Sequence, residues 1–315
     1  MRCITALIAA GLLLVVAGCG GPPQPPWRLV IATGGQEGVY YAYGEGLAEV
    51  ARERLPGARP QVISTPASVE NLRLVGAGRA DVAFTLADSA ALAFEGRAPF
   101  TERVPVVALA RLYEDYTHLV VAADSSIRRL VDVKGRVVSL GAAGSGTELI
   151  ATRLLTVAGM DQGDVRVRRL QIGDAADALR DGRVDAFFFD GGLPTGAIAE
   201  LARVMPIRLI DLSAYVEPLR RRYGAFYEER SIFASAYGLD EQVRTVGVPN
   251  YLVVNASMAD ERAYQLTRLL FTRRDELAAV HPEALHLNRR SAVSTDPLPL
   301  HPGAMRYYRE AKRQG

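Results

Sequence analysis

The chain has 315 residues, 49% apolar and 23% charged, values that exclude a disordered or fibrous polypeptide. Its 37 basic and 35 acidic residues leave a net charge of +2 with no basic stripe, which argues against nucleic acid as a partner. Lys134 and Lys312 are the only lysines, so arginine carries nearly all the positive charge.

Arg2 is a short basic start, and the apolar run over residues 4–16 suits a signal-peptide core and is too short to span a bilayer. Val16-Ala17-Gly18-Cys19 reads as a lipobox. Residues 1–18 are therefore expected to be a leader and Cys19 the lipidated N-terminus. Residues 19–27, with Pro22, Pro23, Pro25 and Pro26, read as an extended tether. Cys3 goes with the leader, so the mature chain keeps no thiol for a disulfide, a metal or a nucleophile.

Short apolar runs then alternate with helical patterns. Residues 29–32 read as a strand, 33–35 as a glycine turn and 40–54 as a helix. A strand at 61–64, a helix at 68–77 and a strand at 81–85 follow, the grammar of a parallel sheet covered by helices. The same order restarts with a strand at 137–140, a glycine-rich turn at 141–146, a helix at 147–158, a strand at 165–170, a helix at 175–180 and a strand at 184–189. Gly78-Arg79-Ala80-Asp81 echoes Gly182-Arg183-Val184-Asp185, which supports two similar lobes. Strands at 116–123 and 246–255 are placed to cross between the lobes, and the helical stretch 263–280 would return to the first. The expected fold is α/β: lobe 1 over residues 28–115 plus 252–315, lobe 2 over 116–251, a two-strand hinge, and a cleft between them.

Three strand-to-helix turns would meet at that cleft: 33–41, 64–71 and 144–148. Each brings glycine or hydroxyl residues to a helix start, where free N–H groups and the dipole favour an anion; capping by Ser68, Ser145 or Thr147 is the plainer use. Tyr40, Tyr41 and Tyr43 put at least one ring toward the cleft, whereas residues 187–189 read as core strand. Enzyme templates are not met. No turn ends in Gly-Lys-Ser/Thr, the strand after Gly34-Gly35-x-x-Gly38 ends in Ser64-Thr65 with no acidic residue, and Ser145 lies outside a G-x-S-x-G elbow. His118, His281, His286 and His301 have no metal spacing and read as surface or capping residues. Neither a cofactor nor a metal is expected.

The segments 33–41, 64–72, 81–88, 132–148, 186–198, 245–254 and 301–308 together resemble the TAXI family, extracytoplasmic receptors of one branch of TRAP transporters. The resemblance implies a fold like type II periplasmic binding proteins. It also implies a small anionic or zwitterionic ligand, such as glutamate, another amino acid or a dicarboxylate, and delivery to TRAP-type membrane subunits driven by an ion gradient. Carried over by motif, the contacts would be Gly35, Tyr40, Tyr41, Ser68, Asn71, Asp88, Ser145, Gly146, Thr147 and Glu148, with Asp190 and Pro194. This chain departs from the family where Gln36-Glu37, Pro66-Ala67 and Leu86 replace the usual small residues, glycines and glutamine. Ile232-Phe233-Ala234-Ser235-Ala236-Tyr237 also replaces the usual I-P-A-G-T-Y. Glu37 is thus added as a candidate contact with two arrangements open to it: it points to solvent and is neutral to binding, or it faces the cleft and selects a ligand bearing a positive group such as an ammonium.

The expected molecule is a monomeric, lipid-anchored receptor without catalysis. Its rivals are a ligand-sensing lipoprotein that signals to a membrane kinase, and a periplasmic hydrolase or transferase using Glu37, Asp88, Glu148 or Asp190 as acid or base.

Overall fold

The structure, a computed structural model, describes residues 27–314. The leader, the lipidation at Cys19 and nearly all of the tether lie outside the described residues; Trp27, given to the tether, opens the first strand.

The chain runs β1 (Trp27–Ala32), α1 (Val39–Arg54), β2 (Ala58–Ile63), α2 (Ser68–Gly76), β3 (Val82–Leu86), α3 (Ala87–Glu95) and β4 (Val106–Ala122). It continues β5 (Val137–Ser139), α4 (Gly146–Val157), β6 (Arg166–Arg168), α5 (Ile172–Arg180), β7 (Ala186–Gly191), α6 (Gly196–Val204), β8 (Ile207–Leu209), α7 (Val216–Tyr223) and β9 (Glu228–Ile232). It closes with β10 (Val243–Asn255), α8 (Asp260–Thr272), α9 (Arg274–Val280) and α10 (Pro302–Gln314).

All ten strands form one sheet of order β2-β1-β3-β10-β4-β7-β5-β6, with β8 added to β4 and β9 to β10. β1 is parallel to β2 and β3, and β5 is parallel to β6 and β7. The long strands β4 and β10 run antiparallel through the middle and serve both groups. Asn250–Val254 of β10 pair with β3, and Val243–Gly247 pair with β9. Val106–Glu114 of β4 pair with the second half of β10, and Tyr116–Val120 pair with β7. Where β4 passes from one group to the other, Leu112 and Tyr113 lie opposite the single residue Asn250. Such a bulge bends the strand and re-aims its side chains.

Strand order follows from burial. β3 is buried throughout and β10 nearly so, as strands covered on both faces must be. Helices α1, α8, α9 and α10 cover one face of the first group, and α5 and α6 cover one face of the second. On the opposite face α2, α3, α4 and α7 share one apolar core that runs across both groups. In α1, Val39, Tyr43, Leu47 and Val50 point into that packing, each burial of a large apolar side chain contributing about 1.5–3 kcal/mol.

The echoed turns have the same construction. Gly78 and Gly182 both take a φ of +68°, a left-handed conformation that costs glycine nothing. The aspartate three residues on then ties the next strand to its neighbour: Val30 N–H donates to Asp81 Oδ2 at 2.7 Å, and Val137 N–H to Asp185 Oδ2 at 2.7 Å.

The first crossing strand begins ten residues before the expected 116, and the helix expected over 263–280 is two helices that meet at Arg273–Arg274.

Candidate functional site: a cavity between the two strand groups

A cavity of about 50 Å³ lies at the carboxyl ends of the parallel strands, between the two halves of the sheet. One water needs roughly 10–15 Å³ on this measure, so the space suits a small solute. The start of α1 supplies Gly35, Gly38 and Tyr40; the start of α2 supplies Pro66, Ala67 and Ser68; and the start of α4 supplies Ser145, Gly146 and Thr147. Gln171 and Ile172 at the start of α5, Phe188–Gly191 of β7, and Tyr113 and Asp115 of β4 complete it, with Leu86.

Four helix starts therefore converge there. Gly38, Ala67 and Gln171 precede α1, α2 and α5 without side-chain capping bonds, which leaves first-turn N–H groups there without a side-chain partner, although Glu70 N–H of α2 donates to Gly144 O. Only α4 is side-chain capped. Ser145 Oγ accepts from Glu148 N–H at 2.9 Å, and Glu148 Oε2 accepts from Gly144 N–H at 2.8 Å. Ala67 has a φ of +88°, a strained conformation for alanine, held by its N–H donating to Thr65 Oγ1 at 2.9 Å. The two halves meet closely. A Cβ on Gly146 would lie 2.5 Å from Leu86 Cδ1 and 2.7 Å from Ser68 Oγ, so a larger residue there would force the Leu86 and Ser68 side chains to shift.

The charge pattern is acidic. Asp115 and Asp190 are 2% and 7% exposed and line the cavity, whose lining contains no arginine, lysine or histidine. Asp190 Oδ2 accepts from Thr117 Oγ1 at 3.1 Å, and its N–H donates to Thr147 Oγ1. The Oδ1 atoms of both aspartates and the Tyr113 hydroxyl are buried without a hydrogen-bond partner. Burial, then repulsion from Asp190, holds the Asp115 carboxyl well above the usual carboxylate range; burial, then Asp88, does the same to Asp190.

Of the contacts expected by motif, the structure brings Gly35, Tyr40, Ser68, Ser145, Gly146, Thr147 and Asp190 to this cavity. Tyr41 turns away toward Glu45. Asn71 is internal, its amide donating to Thr33 O at 2.7 Å and Phe84 O at 2.8 Å. Glu37 is exposed and lies over Gly173 in the first turn of α5, at the outer rim. Glu148 pairs with Arg169 as well as capping α4, and Pro194 follows a cis peptide outside the lining.

Asp88 is buried in an ion pair, not in the cavity. Arg153 Nη1 of α4 donates to Asp88 Oδ2 at 2.8 Å, Tyr227 OH donates to the same oxygen at 2.8 Å, and Arg153 stacks 4.6 Å above the Tyr223 ring. Since Asp88 belongs to α3 and its partners to the other half, the pair spans the molecule. Leu193 N–H donating to Glu283 Oε1 at 2.6 Å, and Glu70 N–H donating to Gly144 O at 3.2 Å, cross as well.

Phe188 and Phe189, expected as core strand, also form cavity wall, while Phe187 is core. Nor are the histidines all at the surface or caps. His281 Nδ1 and His301 Nδ1 accept from Glu283 and Gly303 N–H as caps, but His118 is buried between Phe189 O and the Tyr237 hydroxyl. Tyr113, Asp115 and Gln171 were not anticipated. The one signal for Asp115 is a charged pair, Glu114-Asp115, inside a long apolar strand.

Two groups of parallel strands, joined by a pair of long crossing strands beside the cavity, make a mixed α/β fold, a mostly parallel sheet flanked by helices, like that of periplasmic binding proteins. The chain belongs to the NMT1-like family, which it matches over residues 31–311. Among solved structures it resembles a protein of Bordetella bronchiseptica RB50, with 19% identity, a TM-score of 0.50, and 89% of this chain and 88% of that one covered. It also resembles the periplasmic aliphatic sulphonate binding protein SsuA from Escherichia coli, with 17% identity, a TM-score of 0.49, and 90% and 83% covered. At such identities the likeness is one of fold.

Proposed function

We propose that this chain is an exported, lipid-anchored solute receptor. It would enclose a small anionic or zwitterionic solute, such as an amino acid or a dicarboxylate, and hand it to a TRAP-type membrane permease without chemical change. The observation that supports this reading is the convergence of helix starts without side-chain caps from both halves of the sheet on one solute-sized cleft. Residues 28–115 with 252–315 would form one lobe and 116–251 the other, moving about β4 and β10, whose bulge at Leu112–Tyr113 lies at the crossing. Membership of the NMT1-like family supports the receptor reading. The resemblance of the 33–41, 64–72 and 132–148 segments to TAXI receptors supports TRAP delivery, and the 16–19 lipobox supports anchoring at Cys19.

Native purification followed by mass spectrometry of the released small molecules tests this. One solute at about one equivalent, bound reversibly and recovered unchanged, is the expected result. Conversion of that solute into a product would overturn the reading in favour of an enzyme.

A further inference from the structure

We propose that Asp115 and Asp190 form a cation subsite in the cavity that takes the protonated amine of an organic solute. This rests on the solute-receptor reading and narrows its ligand class, because simple dicarboxylates lack the group the subsite would hold.

Among the residues that line the cavity, the buried polar atoms without partners are oxygens; behind them the Asn250 amide, beside Asp115, also has an unpaired nitrogen. Asp115 Oδ1, Asp190 Oδ1 and the Tyr113 hydroxyl are buried and unpaired, and all three residues line the space. A primary ammonium carries three N–H donors, one for each of these oxygens. Leaving buried carboxylate oxygens unpaired is costly, and no basic side chain lines the cavity to compensate them. Tyr40, Tyr113, Phe188 and Phe189 add aromatic faces, which attract organic cations and pack against their alkyl stems. The uncapped starts of α1, α2 and α5 remain for an anionic group on the same solute, which makes a zwitterion the complementary guest.

The other charged groups nearby are already matched. Asp88 of α3, facing Asp190, is paired with Arg153. Glu114 of β4 is paired with Arg111 and Arg230, and Glu283, facing Asp115, with His286. Tyr40 of α1 and Tyr113 are neutral hydroxyls whose titration burial pushes up. Asp115 and Asp190 are thus the carboxyl groups around the cavity left without a cation. A metal ion fits less well. The described residues contain no group of three or more His, Cys, Asp or Glu suited to one, and a hard cation seeks six or more oxygens. With both carboxyl groups held toward their protonated forms in the empty site, taking up an ammonium would release a proton.

Isothermal titration calorimetry with pairs that differ only in the amine tests this: L-glutamate against glutarate, and L-leucine against 4-methylpentanoate. The amine-bearing member of at least one pair should bind at least about tenfold more tightly, with proton release when buffers of different ionisation enthalpy are compared. Asp115→Asn and Asp190→Asn should each weaken that member roughly ten- to a hundredfold and leave its deaminated partner nearly unchanged. Equal or tighter binding of the deaminated member to the wild-type protein overturns the cation subsite and leaves the receptor reading standing; this comparison needs no variant. A melting temperature raised by sodium chloride but not choline chloride, and lost in Asp115→Asn, overturns it in favour of a metal ion. Failure of every probe with no small molecule co-purifying overturns both.

Discussion

His118 is held as a neutral imidazole. Nδ1–H donating to Phe189 O at 3.3 Å and Nε2 accepting from the Tyr237 hydroxyl at 2.9 Å is the tautomer that satisfies both partners, and Tyr237 in turn accepts from Thr195 N–H at 3.1 Å. Burial lowers its pKa from 6.5 to about 4. The unfolded chain therefore binds a proton that the folded chain refuses, and stability falls as pH drops from about 6.5 toward 4, by about 3 kcal/mol at most. Melting temperatures between pH 6.5 and 5 should show this slope in the wild type and lose that part of it in His118→Gln. An unchanged slope in the variant would remove His118 from the account. The same chemistry explains what the sequence concealed at this scale. Glu114-Asp115 looks like solvent-facing polarity in a one-dimensional reading, yet β10, β7 and α1 close over Asp115. Glu37 was the more visible acid because it sits in a glycine turn, and the freedom of that turn leaves it at the rim.

Among the elements, the strand-to-helix units were the legible part. Glycine and hydroxyl turns followed by apolar periodicity marked the starts of α1, α2 and α4 to within a residue. Less legible was β4, because pairing on different sides along its length removes the simple alternation that announces a strand. The break between α8 and α9 falls at Arg273 and carries no proline or glycine, so no local residue marks it. Helix-to-helix contact also decides what Asp88 does. A carboxylate at the first turn of α3 reads as a ligand contact until Arg153 of α4 is placed beside it. Arg153→Met should leave that carboxylate buried without a cation, held only by the Tyr227 hydroxyl, lowering stability by about 3–5 kcal/mol, and Asp88→Asn in the same chain should recover much of the loss. Urea unfolding of the single and double variants gives the comparison. A single variant as stable as the wild type would mean the pair contributes nothing.

For the whole molecule, the restart of the strand–helix grammar at residue 137 and the two crossing strands made the architecture readable, whereas the bonds that hold the halves together could not be read. Asp88–Arg153, Leu193–Glu283 and Glu70–Gly144 join residues 65, 90 and 74 positions apart, and no local pattern encodes such pairings. They belong to the arrangement described here, with the two groups of strands close on either side of the cavity. A solute favours that arrangement only by its greater affinity for it than for an open one. Small-angle scattering should therefore show compaction when the co-purifying solute is restored to stripped protein, and a smaller change in Arg153→Met, which weakens one of the crossing bonds. Identical scattering with and without solute would show that the halves do not move.

For a receptor of the kind proposed above, the unpaired oxygens of Asp115, Asp190 and Tyr113 would have a consequence for traffic at the membrane. Shutting the halves over vacant space would strand those atoms away from water, so an unloaded receptor would be penalised for adopting the shape that a loaded one adopts readily. A permease that recognises only the shut shape would then be protected from unproductive docking by idle copies, although it never touches the cargo. Discrimination between full and empty would reside in the receptor's own interior.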